Sequence, residues 1–156
     1  MAVALKQLQQ TGAATNQVVG WTGTTWAPQT PGSATVTRAY FPGVVLNDAV
    51  YQRSDGQVGR ASAGSETTAA FGFVSAIDSP SPGQCRVQVT GDLAGFGGLT
   101  AGRVYIASLA AGQILWEADT LNPNYPVTPG NIVQRVGLAA SATTLLIDAN
   151  HGFEEL

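Results

Sequence analysis

The stretch GNIVQRVGLAASATTLLID, residues 130–148, decides the fold class of this chain. It contains two runs rich in Val, Ile, Leu and Thr, residues 132–139 and 143–149, joined by a short segment of small residues. Such runs favour strands, and the Gly and small polar residues before and between them favour turns. The stretch therefore predicts two short strands joined by a turn.

The same pattern extends back to about residue 43. Turn signals that contain Gly or Pro lie at residues 54–56, 81–83, 110–112 and 128–130. Between them, the sequence predicts further strands over residues 44–46, 49–52, 70–76, 85–90, 103–108 and 113–116. Short strands at regular spacing predict an all-β fold, a small β-barrel or sandwich. The predicted domains are an N-terminal attachment or trimerisation arm with a linker, residues 1–42, and a β-barrel domain, residues 43–156.

The two halves of the predicted barrel resemble each other. Each contains a strand, a tight turn, a second strand and a third strand interrupted by glycine, a residue that often marks a bulge. The paired segments are residues 49–51 with 103–105, 56–58 with 112–114, and 71–74 with 136–139. Either an internal duplication or a coincidental spacing of turns in a β-meander accounts for this likeness.

The arm carries apolar residues with little local cover. Two leucines three residues apart predict a short helix with a narrow apolar stripe, and two tryptophans flank a Gly-containing turn that predicts a small hairpin. Neither a two-turn helix nor an isolated hairpin is stable by itself in water. A small local core is one explanation; the other is an oligomer or attachment interface formed by Leu5, Leu8, Val19, Trp21 and Trp26.

Composition narrows the classes of function. Charged residues make up 11% of the 156 residues, against about 25% in typical soluble domains. Such a surface suits a protein that packs against neighbours, and a net charge of −3 argues against nucleic-acid binding. No apolar run approaches the ~18 residues of a membrane helix, and no secretory signal begins the chain. We therefore expect synthesis in a reducing cytoplasm, without secretion or membrane insertion.

The sequence contains few candidate catalytic residues. Cys85 lies in an alternating strand pattern that predicts an unactivated thiol, and His151 is the only histidine. Residues 97 and 102 have the glycine spacing of a phosphate loop, but Arg103 and Val104 stand where Lys and Ser or Thr are required, so we expect a flexible connection. We expect no catalytic residue, no cofactor and no metal site, and hence no enzyme. The scattered acids are expected to be turn residues that cap their own backbone: Asp48, Asp55, Asp78, Asp92 and Asp119.

Two parts of the chain resemble bacteriophage virion proteins. Residues 5–28 resemble the segment L-x-Q-x-G-A-T-x-G-Q-V-L-x-W-N-G-T-x-W-x-P of phage fibre proteins, with departures at Asn16 and Thr22. Segments of residues 98–147 resemble a small β-barrel module that recurs in phage tail fibres, baseplate appendages and capsid decoration proteins. The resemblance implies a homotrimer in the virion, with the arm docked to other virion proteins and the barrel displayed outward.

Three roles stay open at this point. The first is a non-enzymatic, short trimeric tail fibre or baseplate-attached fibre. The alternative is a capsid decoration (cement) protein on the phage head, which the small size and low charge favour. The lesser alternative is a barrel that binds or cleaves glycans. For glycan contact on the host surface, the candidate is Tyr125 in the turn-rich 121–126 loop, although buried packing is the simpler role for this side chain.

Overall fold

A computed structural model gives the structure of residues 18–21, 26–29, 34–148 and 152–156. Chain contacts divide the protein into two compact units, Met1–Gly32 and Ser33–Leu156. Within the described residues, the strand-to-strand pairings are antiparallel, and the helical structure is a single 3-10 turn over Glu66–Thr68. The all-β prediction is confirmed.

The strands are numbered in chain order. They are β1 (Val18–Trp21), β2 (Trp26–Gln29), β3 (Thr35–Ala39), β4 (Ala49–Gln52), β5 (Val58–Arg60), β6 (Gly72–Ile77), β7 (Gln84–Gln88), β8 (Thr90–Ala94), β9 (Val104–Ala107), β10 (Ile114–Trp116), β11 (Ile132–Ala139), β12 (Thr144–Asp148) and β13 (Phe153–Glu155). The bounds of β4 and β11 are those predicted from the sequence.

The first unit contains the predicted hairpin. β1 and β2 pair antiparallel, with Val19 opposite Pro28 and Trp21 opposite Trp26. The predicted short helix lies outside the described residues.

The second unit holds two sheets. One has the strand order β3-β7-β6-β4-β5, and the other has the order β10-β9-β11-β12-β8, with β13 paired to the first residues of β11. β3 lies within the segment that the sequence assigned to the arm and linker. Because it pairs along its whole length with β7, it is part of this second unit.

The two sheets repeat one topology. Numbered along the chain within each sheet, both have the order first, fifth, fourth, second, third. We call residues 35–88 the first repeat and residues 90–148 the second repeat. Turn geometry also matches, since the Asn47 N–H donates to the Val74 carbonyl (2.9 Å) and the Gly102 N–H donates to the Ala139 carbonyl (2.8 Å). The common topology and the matched bonds favour internal duplication over coincidental turn spacing.

The register refines the equivalence drawn from sequence. Gly72 and Gly137 correspond as predicted. Gly72 lies opposite Val50 and Gly137 lies opposite Tyr105, and in each repeat the residue after the glycine also faces the second strand. The predicted equivalence of the second strands, residues 49–51 with 103–105, is wrong by one residue. Ala49 lies opposite Phe73, and Val104 lies opposite Leu138, so Ala49 corresponds to Val104 and not to Arg103.

Adjacent residues of β6 serve two different cores. Val74 packs into a cluster within the first repeat together with Val50, Val58 and Val87. Phe73 points to the other face and joins a larger cluster with residues of both repeats. Successive side chains of a strand point to opposite faces, so the centre of the first sheet is covered on both sides. Both side chains are fully buried.

Two local predictions are wrong. The predicted strand 44–46 is a turn, in which the Asp48 N–H donates to the Val45 carbonyl (3.3 Å) and only Val44 is buried. The glycine-rich connection begins as a strand, since β8 pairs with β12 over five residues and Leu93 is buried. Burial of Leu93 in the core outweighs the weak strand preference of Gly91 in the same strand.

Candidate functional site

The structure places the predicted interface residues in different parts of the chain. Val19, Trp21 and Trp26 come together in the β1–β2 hairpin of the first unit. Leu5 and Leu8 lie outside the described residues, so their grouping with the hairpin stays a prediction. The predicted glycan contact belongs to the second unit, where Tyr125 is half-buried in the connection between β10 and β11.

The cysteine is inert in its setting. Cys85 is fully buried in β7, and burial raises the pKa of its thiol, which disfavours the nucleophilic thiolate. His151 lies outside the described residues. The part of the chain that the structure describes holds no group of three or more His, Cys, Asp or Glu side chains arranged to bind a metal ion.

Asp48 is the most buried carboxylate. Its Oδ2 accepts hydrogen bonds from the Val45 N–H (2.9 Å) and pairs with Arg60 Nε (3.1 Å). Burial raises the pKa of Asp48, while the Val45 N–H and Arg60 lower it in partial compensation. The equivalent pair in the second repeat is a cation–π contact, with the Arg103 guanidinium 3.7 Å from the Trp116 ring centroid. Both pairs join the start of one strand to the end of its neighbour, which is a structural role.

The other aspartates mostly follow the turn prediction. Asp55 accepts the Gln57 N–H (3.0 Å) and Asp78 accepts the Gly83 N–H (2.8 Å), and these bonds lower the pKa of both carboxyls. Asp119 instead accepts from the Asn122 side chain. The prediction is wrong for Asp92, which lies within β8 opposite a residue of β12.

A polar groove of about 520 Å³ lies beside β4, lined by Tyr51, Gln52, Arg53, Ser54, Thr67 and Thr68. Several of its polar side chains already bond to the chain itself. Gln52 accepts from Arg38 Nε (3.2 Å), and Arg53 pairs with Asp55 (3.1 Å). A sugar would have to displace these bonds, which lowers the value of the groove as a glycan site.

A row of apolar side chains crosses the second sheet. Leu138 lies opposite Val104 on one side and opposite Leu146 on the other, so the three form a continuous band over β9, β11 and β12. Leu138 is 40% exposed and Leu146 is 42% exposed, and they border a groove of about 280 Å³. We call these three residues the outer row of the second sheet. This row was not predicted from the sequence, although an apolar residue at every position from 145 to 147 indicates a strand that is apolar on both faces.

A second apolar surface lies on the loop between β3 and β4. Phe41, Val45 and Leu46 are exposed by 44%, 54% and 57%. The Arg53 guanidinium lies 4.2 Å from the centre of the Phe41 ring, which holds a positive charge beside this surface. We call these three apolar residues the β3–β4 loop patch. This patch was not predicted from the sequence, because residues 44–46 have the composition of a strand.

Comparison with known proteins adds no identification. A scan of protein-family models, a search of curated proteins and a search of solved structures each found no match for this chain. Among the residues that the structure describes, none form a helix long and apolar enough to cross a bilayer. The chain is therefore an all-β protein whose two sheets repeat one topology. It exposes apolar side chains on the β3–β4 loop patch and on the outer row of the second sheet.

Proposed function

We propose that this chain is a non-enzymatic structural protein of a bacteriophage virion, and specifically a short trimeric tail fibre or baseplate-attached fibre. Its N-terminal region would dock to other virion proteins, and its two-repeat β unit would be displayed outward. The proposal rests on the likeness of residues 5–28 and 98–147 to phage fibre and barrel segments.

The structural observation that carries the proposal is apolar surface on a nearly uncharged β protein. The outer row of the second sheet and the β3–β4 loop patch leave six apolar side chains at least partly open to water. With only 11% charged residues, few like charges repel one another between such surfaces. Burial of apolar area stabilises association by about 25 cal/mol per Å², so these surfaces suit a protein that functions in an assembly.

The second candidate is a capsid decoration protein on the phage head. The same low charge and compact β unit favour it, because a cement protein needs surface for its neighbours rather than a catalytic cleft. The two candidates differ in location and in copy number, with hundreds of copies expected on a head and a few tens on a tail.

Electron microscopy of phage particles labelled with antibodies raised against the purified chain tests the proposal. Label at the tail tip or baseplate supports the fibre, and label spread over the head supports the decoration protein. Particles that bear neither label nor the chain in their protein content would refute a virion role. A glycan array and a polysaccharide hydrolysis assay test the glycan alternative, which two blank results would exclude.

A further inference from the structure

The chain already contains one contact between its repeats. Phe96, in the loop that follows β8, meets Phe73 of the first sheet edge to face, with ring centroids 5.7 Å apart and an interplanar angle of 80°. Phe73 is the centre of a row formed with Ala49 and Gln88, its partners on the neighbouring strands. All three residues of this row are buried. We call these three residues the buried row of the first sheet. A loop of the second repeat covers this row.

A hairpin tip of the second repeat reinforces this contact. Gly112, between β9 and β10, accepts a hydrogen bond from the Ala49 N–H (2.9 Å) and donates to the Ala61 carbonyl (2.7 Å). Its φ of +79° suits glycine, and a Cβ there would lie 2.5 Å from an Asp48 carboxylate oxygen. Loop and tip both belong to the surface by which the second repeat docks on the first, beside the apolar cluster that the two repeats share.

Both docking surfaces occur a second time. In the register, the outer row Val104, Leu138 and Leu146 corresponds to the buried row of the first sheet. The loop equivalence follows from matched turns, since the Asp48 N–H bonds to Val45 and the Arg103 N–H bonds to Thr100, three residues back in each case. Each of the two loops joins the first strand of its repeat to the second and carries one phenylalanine, Phe41 in the first repeat and Phe96 in the second. Leu138 and Leu146 of the outer row and Phe41 are exposed, whereas Phe73 is buried in contact with Phe96, so the chain has one covered and one uncovered example of an outward row and a loop phenylalanine.

We propose that copies of this chain associate head to tail, with the β3–β4 loop patch of one copy seated on the outer row of the second sheet of the next. The contact repeats between chains what the second repeat already does within one chain. Because it joins two different surfaces, it is heterologous and leads to a closed ring or to a filament.

Charged residues border both surfaces. Arg53 lies over the Phe41 ring and pairs with Asp55. Exposed Asp92 lies opposite Leu146 at the end of the outer row, and Arg135 borders the groove beside Leu138. Because both signs of charge occur beside the row, charge at the rim bears on the orientation of docking more than on affinity.

This inference goes beyond the proposed function, since it concerns how copies meet and needs neither a tail nor a head location. It also differs from the interface predicted in the arm. Cross-linking separates the two, because a cysteine pair reports on one surface pair only.

The experiment uses full-length chains with single substitutions, Phe41→Cys in one preparation and Leu138→Cys in another, mixed and mildly oxidised. Native Cys85 is buried, so the unsubstituted chain serves as the blank. We expect a disulfide dimer in the mixture and no more than blank levels in either preparation alone. The matched control replaces Phe41→Cys with Leu121→Cys, a residue 95% exposed and outside both surfaces; it should give no dimer with Leu138→Cys.

A second measurement guards against a cysteine variant that fails to fold. Sedimentation of the native chain should show association that Leu138→Asp weakens at least about tenfold, as expected when an interface charge is buried without a partner, while Leu121→Asp leaves it unchanged. Circular dichroism checks that each variant is folded. A monomeric native chain overturns the proposal. So do dimers that link like with like, or an association that only Trp21→Ala disrupts, which would assign the contact to the arm. Microscopy of particles tests the virion role separately.

Discussion

Replacement of Gly137 by alanine tests whether close approach of two strands holds each repeat together. A Cβ at Gly137 would lie 2.6 Å from the Leu146 carbonyl oxygen and 2.9 Å from Leu145 Cγ. The obstacle is backbone of the paired strand β12, so a change of rotamer cannot remove it. The first repeat has the same constraint, since a Cβ at Gly72 would lie 2.6 Å from the Gln88 carbonyl oxygen.

The expected cost follows from the distances. Ordinary contacts begin near 3.4 Å, so β11 and β12 must separate by several tenths of an ångström while Leu138 and Ala139 remain paired with β12. Overpacking of this kind costs about 1–3 kcal/mol. For a unit of this size, that lowers the unfolding midpoint by about 3–10 °C.

Thermal unfolding followed by circular dichroism measures the effect for Gly137→Ala and Gly72→Ala. Gly97→Ala is the matched control, because nothing lies within 4 Å of a Cβ there and its φ is not in the left-handed region. We expect the control to stay within about 0.5 kcal/mol of the native chain. If both strand variants unfold at the native temperature, the close approach of the strands is not what restricts these positions, and the reasoning is wrong.

Further predictions concern three buried groups. Cys85 should resist a thiol reagent in the native protein at neutral pH and react at once after unfolding, because burial hides the thiol and raises its pKa; fast labelling of the native chain would contradict this. Asp48→Ala should destabilise the fold by about 1–3 kcal/mol in denaturant unfolding, since the Val45 N–H and the partly exposed Arg60 both lose their acceptor, whereas Asp48→Asn keeps an oxygen for the Val45 N–H and should cost less. Burial raises the folded-state pKa of Asp48 above the usual 3.8. The free energy of unfolding of the native chain, relative to that of Asp48→Asn, should therefore be largest below pH 3.8 and decrease as pH rises through the raised pKa. A difference that grows with pH would refute the sign. Gln134→Leu should cost about 1–3 kcal/mol in denaturant unfolding for each main-chain group of Ala70 that loses its partner, the N–H to Gln134 Oε1 (2.8 Å) and the carbonyl to Gln134 Nε2 (2.6 Å); a neutral effect would mean that water replaces the amide.

The strands predicted most accurately are those in which the residues of the strand and the turn signals beside it indicate the same bounds. β11 has β-branched residues, a glycine at the observed register shift and a strong turn signal before it, so its bounds could be predicted. Residues 44–46 have the same composition but lie in a turn, because Asn47 takes a φ of +64° and the Asp48 carboxylate caps the Val45 N–H. Local composition does not reveal such a tertiary arrangement.

The candidate surfaces were harder to predict for a related reason. A strand with apolar residues on both faces, such as β12, shows that both faces are suited to burial but does not tell which one the chain itself covers. That depends on which repeat packs against which, and so on contacts between residues more than 20 positions apart, such as Phe73 and Phe96. The weak likeness of the two halves was the one signal in the sequence that led towards this answer.

The divergence of the two rows supports the proposed association of copies. After duplication, a row that faced only water would lose no stability by becoming polar. Elsewhere equivalent positions of the two repeats do differ in polarity, since the ion pair Asp48–Arg60 corresponds to the cation–π contact Arg103–Trp116. The outer row of the second sheet instead has Val, Leu and Leu where the buried row has Ala, Phe and Gln. The uncovered row therefore holds more aliphatic residues than the covered one. Aliphatic residues on a strand face that water alone contacts lower solubility and invite aggregation, so their place here is explained if the face is covered in the assembled protein.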